Sequence, residues 1–71
     1  MKKTSFQHLL KAARESRGLS RRELAEMAGL TVRAISGFET GEYGPRVKTL
    51  YQLASALEVT IWDLVPSGER S

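Results

Sequence analysis

The first third of the chain repeats apolar residues at the i, i+3, i+4, i+7 spacing of one helix face. These residues are Phe6, Leu9, Leu10 and Ala13. Thr4 and Gln7 have the spacing of a capping box, and Gly18 can end a helix in the left-handed conformation. The pattern therefore predicts a first helix from about Ser5 to Arg17.

Residues 20–41 predict two short helices with almost no chain between them. Ser20 and Glu23 have the spacing of a capping box, in which each side chain satisfies a backbone N–H at the helix start. A second helix is therefore predicted from about Arg21 to Ala28, and Gly29 can end it.

A third helix follows almost at once. Thr31 can cap it, it runs from Val32 to about Glu39, and Gly41 can end it. Two helices that lie this close along the chain must cross steeply, which is the geometry of a helix-turn-helix.

A fourth helix is predicted just after Pro45, where apolar periodicity returns. Its apolar residues are Val47, Leu50, Leu53, Ala54 and Leu57. Thr60 and Asp63 then offer an N-terminal cap to a short last helix, which Pro66 ends. The apolar residues of that helix are Ile61, Leu64 and Val65.

These elements predict an all-α fold, a single compact domain of five helices in which helices 2 and 3 form the helix-turn-helix. Its core covers about residues 5–65, and residues 1–4 and 66–71 are expected to be flexible ends. The 71 residues leave no room for a cleft between two domains, and the absence of cysteine removes disulfides and thiolate metal sites. We expect no metal and no organic cofactor.

The basic start MKKT is not followed by an apolar run of secretory or membrane-spanning length. We therefore expect a cytoplasmic protein without membrane association. The sequence also argues against an enzyme. Its sole histidine, His8, lies off the apolar stripe and reads as a solvent-exposed helix residue, with no nucleophile motif or carboxylate pair beside it.

Positive charge is concentrated in the first two thirds of the chain. Residues 1–48 hold ten lysines and arginines against five acidic residues, a net charge of +5, whereas residues 49–71 hold one against three, a net charge of −2. This asymmetry favours a polyanionic partner, although a plain solvated surface explains the charge equally well.

Helix 3 has a narrow outward face opposite Ile35 and Phe38. It consists of Val32, Arg33, Ser36 and Gly37. Compact residues with one long cation suit insertion into a groove. Cations also stand at the starts of helices 2 and 4, where backbone N–H groups favour phosphate. They are Arg21, Arg22, Arg46 and Lys48.

The segment LSRRELAEMAGLTVRAISGFETG, with LLKAARESRG before it and GPRVKTLYQLASALEVTIWDL after it, resembles the lambda-repressor-like DNA-binding domain of the Cro/CI-type, or XRE, family. With the helical wheel, the resemblance assigns base contacts to Val32, Arg33, Ser36 and Gly37. Together with the cations at the helix starts, it predicts DNA backbone contacts at Ser20, Arg21, Arg22, Thr31, Arg46 and Lys48. It also implies an ion pair between Arg14 and Glu39 that ties helix 1 to the end of helix 3.

The reading face departs from the family at two positions. Family members often carry Gln, Lys or Arg where this chain has Val32 and Gly37. Val32 could contact a thymine methyl group or be a buried staple. Gly37 could allow close approach of the backbone to DNA or to another helix, or be a tolerated site. Arg33 is therefore expected to be the main direct reader, at guanine O6 and N7.

The resemblance implies a sequence-specific transcriptional regulator that binds double-stranded DNA as a homodimer on a two-fold operator, as a repressor rather than an activator, without a small-molecule ligand. Ile61 and Trp62 are the expected dimer interface, with core packing as the other interpretation of Trp62. Glu26 is a weaker candidate for a contact with RNA polymerase, and Tyr43 is interpreted as a loop anchor rather than a residue stacked near the DNA backbone. An antitoxin-like or accessory protein-interaction module is the alternative function.

Overall fold

A computed structural model describes residues 5–66, which form four α-helices and one 3₁₀ helix and contain no β-strand. The α-helices are α1 (Phe6–Ser16), α2 (Arg21–Ala28), α3 (Val32–Thr40) and α4 (Val47–Leu57). The 3₁₀ helix covers Ile61–Leu64. The all-α prediction is confirmed, and α2 has the predicted bounds.

The predicted fifth helix is only this single 3₁₀ turn. Thr60 is its N-cap, and the backbone N–H of Thr60 donates to Asp63 Oδ2 at 2.8 Å. Val65 is already extended, with φ −100° and ψ 126°. A residue that precedes proline is disfavoured in the α region, so Pro66 leaves too little chain for an α-helix.

Helix α1 begins one residue later than predicted, with Ser5 as its N-cap. Thr4, the predicted capping residue, lies outside the described residues. At the other end, the backbone N–H of Leu19 donates to the carbonyl of Arg14 at 3.1 Å, which closes the helix just beyond Gly18.

Gly29 makes the turn between α2 and α3. Its φ of 72° is left-handed, and the next N–H, that of Leu30, donates to Ala25 O at 2.8 Å. A residue with a Cβ is disfavoured in this conformation, so glycine fits the turn. The Gln52 side-chain amide of α4 also donates to Ala28 O at 3.2 Å, satisfying a carbonyl at the end of α2.

The core lies where α3 packs against α1 and α2 and where α4 packs against α2 and the 3₁₀ helix. Six side chains are fully buried there: Leu10, Leu24, Ile35, Leu53, Leu57 and Leu64. Burial of each stabilises the fold by about 1.5–3 kcal/mol. Ala25 and Ala28 are small and buried on α2, which allows α3 to cross closely.

The end of α4 is held by α1. Glu58 adopts a left-handed φ of 58°, which is unfavourable for a residue with a side chain. Arg17 Nη1 donates to the carbonyl of Leu57 at 3.2 Å and to Glu58 Oε1 at 2.7 Å. Arg17 thus satisfies a carbonyl that the helix itself leaves unbonded.

Candidate nucleic-acid interface

The start of α2 is fixed by the predicted capping box. The backbone N–H of Glu23 donates to Ser20 Oγ at 3.0 Å, and the backbone N–H of Ser20 donates to Glu23 Oε1 at 2.8 Å. The hydrogen bond from the Ser20 backbone N–H, together with one from the Ser20 side chain, lowers the pKa of the Glu23 carboxyl group. The two reciprocal bonds fix the conformation of the first turn of α2, which is exposed to solvent.

A buried carboxylate joins three helices behind the exposed face of α3. Glu39 Oε2 accepts from Arg14 Nε at 2.6 Å, and Oε1 accepts from Arg14 Nη2 at 2.9 Å and from Arg21 Nε at 3.0 Å. Arg14 Nη1 also donates to the carbonyl of Leu19 at 2.7 Å. Arg14 of α1 and Arg21 of α2 both bind Glu39 in the last turn of α3. These bonds fix the orientation of α3 relative to α1 and α2.

The electrostatics of this cluster follow from its burial. The Glu39 side chain is 0% exposed, which by itself would raise its pKa. The hydrogen bonds and charges of Arg14 and Arg21 outweigh that effect, so the pKa of Glu39 is lowered. The hydrogen bond to Glu39 likewise raises the pKa of Arg14. Both groups are therefore charged at neutral pH.

Arg21 has a second role that the sequence did not indicate. Its Nε donates to Glu39 Oε1, and its Nη1 lies 3.5 Å from Ser36 Oγ, at the outer limit of a hydrogen bond. Its side chain remains 39% exposed. The guanidinium therefore presents one edge to Glu39 and leaves part of itself at the surface beside α3.

The exposed face of α3 is narrower than the helical wheel predicted. Arg33 is exposed, whereas Ser36 and Val32 are half-buried. Val32 packs against the hydrophobic core, as the staple interpretation expects. Arg33 is thus the most exposed of the four side chains predicted to contact bases.

Gly37 corrects the wheel prediction, which placed it on the outward face. It is buried, because the ring of Tyr43 covers it. A Cβ built at Gly37 would lie 2.5 Å from the Tyr43 hydroxyl oxygen and 2.6 Å from Cε2. Real Cβ atoms essentially never make such contacts, so a side chain at position 37 would have to displace the Tyr43 ring, and the close neighbour of Gly37 is the loop tyrosine rather than another helix.

Four further predicted contact residues lie near the starts of α2, α3 and α4. Arg22 is exposed on α2, and Arg46 and Lys48 are exposed at the start of α4, where Arg46 is the N-cap. Thr31 is exposed, and its Oγ1 accepts from the backbone N–H of Ala34 at 3.0 Å. The starts of α2 and α4 therefore carry exposed cations.

The predicted dimer residues line an apolar groove of about 520 Å³ between α4 and the 3₁₀ helix. The groove is lined by Tyr51, Ala54, Ser55, Val59, Thr60, Ile61 and Trp62. Trp62 is 54% exposed and Tyr51 is 57% exposed, so Trp62 is not core filler. Tyr51 was missed from the sequence, although its place four residues after Val47 in α4 was a usable signal.

Other chemistry is sparse in the part of the chain that the structure describes. Residues 5–66 contain no group of three or more His, Asp or Glu side chains that could hold a metal ion. His8 is exposed and lies 2.8 Å from Ser5 Oγ through its Nδ1. None of the described helices is long and apolar enough to cross a membrane.

Comparisons with known proteins agree with this geometry. A helix-turn-helix family model (HTH_3) matches residues 10–61. The HTH-type transcriptional regulator DdrOP3 of Deinococcus deserti is 35% identical over 60 residues, which make up 84% of this chain and 46% of that protein. The chain therefore spans about half the length of this relative.

Two solved structures are also similar. The restriction-modification controller protein C.AhdI from Aeromonas hydrophila matches with a TM-score of 0.81 and 30% identity, over 83% of this chain and 89% of that one. The P22 c2 repressor, crystallised with synthetic operator 9T, matches with a TM-score of 0.82 and 26% identity, over 87% of this chain and 94% of that one.

Proposed function

The chain belongs to the helix-turn-helix family of DNA-binding transcriptional regulators, and from this premise we propose that it represses transcription as a homodimer bound to a two-fold symmetric operator. The observation that carries the proposal is the α3 face, which is fixed from behind by Glu39 and presents the exposed Arg33, with further exposed cations at the starts of α2 and α4. A rigid helix flanked by phosphate-binding groups is suited to the major groove.

The proposed division of labour separates base contacts from backbone contacts. Arg33 donates to guanine O6 and N7, and the short side chains of Val32 and Ser36 add further contacts to bases. Gly37 is left out of the proposed base contacts because Tyr43 covers it. The backbone contacts proposed are Ser20, Arg21, Arg22, Thr31, Arg46 and Lys48. Arg21 contributes only the part of its guanidinium that Glu39 does not bind.

Dimerisation is proposed through the apolar groove. Trp62 and Ile61 supply its contact surface, and pairing two such grooves would remove a half-exposed tryptophan from water. A two-fold dimer presents two α3 helices to half-sites about one helical turn apart. Trp62→Ala is expected to weaken dimerisation in analytical ultracentrifugation, and unchanged sedimentation would refute this interface.

Regulation follows from occupancy of the promoter. A dimer seated there blocks RNA polymerase, which is the proposed mode of repression. If the operator lies just upstream of the polymerase site, the dimer would instead touch RNA polymerase. Glu26, which is exposed on α2, is the proposed residue for that contact.

The decisive experiment is selection of bound sequences from a random pool of DNA duplexes. We expect one enriched site with two inverted half-sites about 10 base pairs apart. Enrichment of a single half-site would refute the homodimer, and no enrichment would refute sequence-specific binding.

A protein-interaction module, antitoxin-like or accessory, is the second candidate, favoured by the half-exposed Trp62 beside the apolar groove. Sedimentation with and without the selected DNA separates the two functions. An interaction module should gain no stable complex with specific DNA.

A further inference from the structure

Tyr43 occupies the place where a side chain at position 37 of α3 would be. Its phenol covers Gly37, and its hydroxyl donates to the carbonyl of Arg33 at 3.1 Å. The ring also packs edge-on against Phe38, with centroids 5.4 Å apart and planes at 85°. Three contacts on one helix hold the loop residue against α3.

The position of Tyr43 matters because the exposed face of α3 lacks a polar side chain at Gly37, where family members often carry Gln, Lys or Arg. Gly37 neighbours Arg33 on the helical wheel, so a side chain leaving it would emerge beside the proposed guanine reader. The space is filled by the end of the Tyr43 side chain; the residue as a whole is 42% exposed, and the hydrogen bond of its hydroxyl lies at the surface. A hydrogen-bonding group is therefore present at this point of the surface, although the loop supplies it rather than the helix.

We propose that Tyr43 is a base-contacting residue that determines specificity, its hydroxyl replacing the polar side chain that α3 lacks at Gly37. This inference rests on the proposed DNA-binding function. The hydroxyl proton is already donated to Arg33 O, so the phenol oxygen offers its lone pairs as acceptors. Its partner in the major groove is an exocyclic amino group, N6 of adenine or N4 of cytosine.

The fixed position of the ring makes this contact specific. A long helical side chain would have to lose rotamer freedom on binding, whereas Tyr43 is already held by Arg33 and Phe38. An acceptor held in place before binding discriminates against a base that presents another acceptor, because two lone pairs would then face each other without a proton.

Tyr43→Phe tests the proposal because it removes only the hydroxyl and leaves the ring over Gly37. We expect about a five- to ten-fold loss of affinity for the site that the wild type selects, and no change of affinity for random DNA. In a repeated selection, one position in each half-site should lose its preference for adenine or cytosine. A purely structural role would not change a single base preference.

The outcomes distinguish this inference from the function on which it rests. If the wild type enriches no sequence, the proposed function fails. If the wild type enriches a site and Tyr43→Phe enriches the same site with the same affinity, only the role of Tyr43 is refuted. Equal weakening on selected and random DNA also refutes it, and would identify the hydroxyl as a backbone contact. Thermal melting of Tyr43→Phe should stay within a few degrees of the wild type.

Discussion

Replacing Glu39 by alanine is expected to remove much of the stability of the protein. The wild-type carboxylate accepts three hydrogen bonds from arginines and is 0% exposed. In Glu39→Ala, Arg14 keeps only its bond to the carbonyl of Leu19 and remains almost entirely buried. Arg21 can turn to solvent, so the unpaired charge of Arg14 dominates the cost.

The magnitude follows from that burial. Removing one partner of a buried ion pair costs about 3–5 kcal/mol, because the other charge is left without compensation. A domain of this length has a total stability of about 4–10 kcal/mol. At about 4–8 °C per kcal/mol, the midpoint of thermal unfolding should fall by roughly 12–40 °C.

Circular dichroism during heating and urea titration measures this loss. The matched control is Glu58→Ala, which removes the partner of Arg17 in a pair whose side chains are 37% and 73% exposed. Exposed pairs contribute about 0–1 kcal/mol, so the control should lose little. Equal, small losses in the two variants would show that Glu39 does not hold α3 in place.

The same carboxylate predicts a pH dependence. Its pKa is lowered in the folded protein, so it adds stability above 4.5, its ordinary value, and that contribution is lost as the pH falls below it. Glu39→Gln cannot be protonated in this range. Its stability should therefore decline less steeply below pH 4.5 than that of the wild type, and parallel curves would contradict the assignment.

Four further results are expected. Gly37→Ala should destabilise the wild type by about 1 kcal/mol, because the new methyl group expels the Tyr43 ring. In the Tyr43→Ala background, the same substitution should stabilise the protein by about 1 kcal/mol through helix propensity. A change of the same sign in both backgrounds would refute the overlap between position 37 and the Tyr43 ring. Arg33→Ala should weaken binding to selected DNA at least ten-fold more than binding to random DNA, whereas the exposed control Lys11→Ala should weaken both alike. The dimer's log affinity against log salt should slope by about −7 if four cations per subunit meet phosphate, and a slope near zero would exclude that model. Glu58→Gly should raise the free energy of unfolding, measured by urea titration, by about 1 kcal/mol, because glycine adopts the left-handed backbone at position 58 without strain. A lower free energy of unfolding would show that the ion pair with Arg17 outweighs this strain.

Local signals in the sequence were sufficient for most of the fold. The capping box of Ser20 and Glu23 and the glycine after α2 act within a few residues, so their spacing determined the bounds of that helix. The last helix was predicted less well, because apolar spacing does not distinguish a 3₁₀ turn from an α-helix and only Pro66 limits its length.

The candidate interface was harder to predict, because its details depend on contacts between distant residues. A helical wheel places Gly37 outward but cannot show that a loop residue six positions later folds back over it. For the same reason, the place of Arg21 at the start of α2 gave no sign that it shares Glu39 with Arg14. The family resemblance named one partner of Glu39, and only the folded chain shows the second.

The position of Glu39 also has an evolutionary consequence. Because the orientation of α3 is set from its buried side, by Glu39 together with Ile35 and Phe38, the exposed side chains carry little of the folding energy. Arg33 can therefore be exchanged for another residue without loss of the fold. Under the proposed DNA-binding function, single substitutions on the exposed face of α3 would change the DNA sequence that is bound, while α3 itself stays in place.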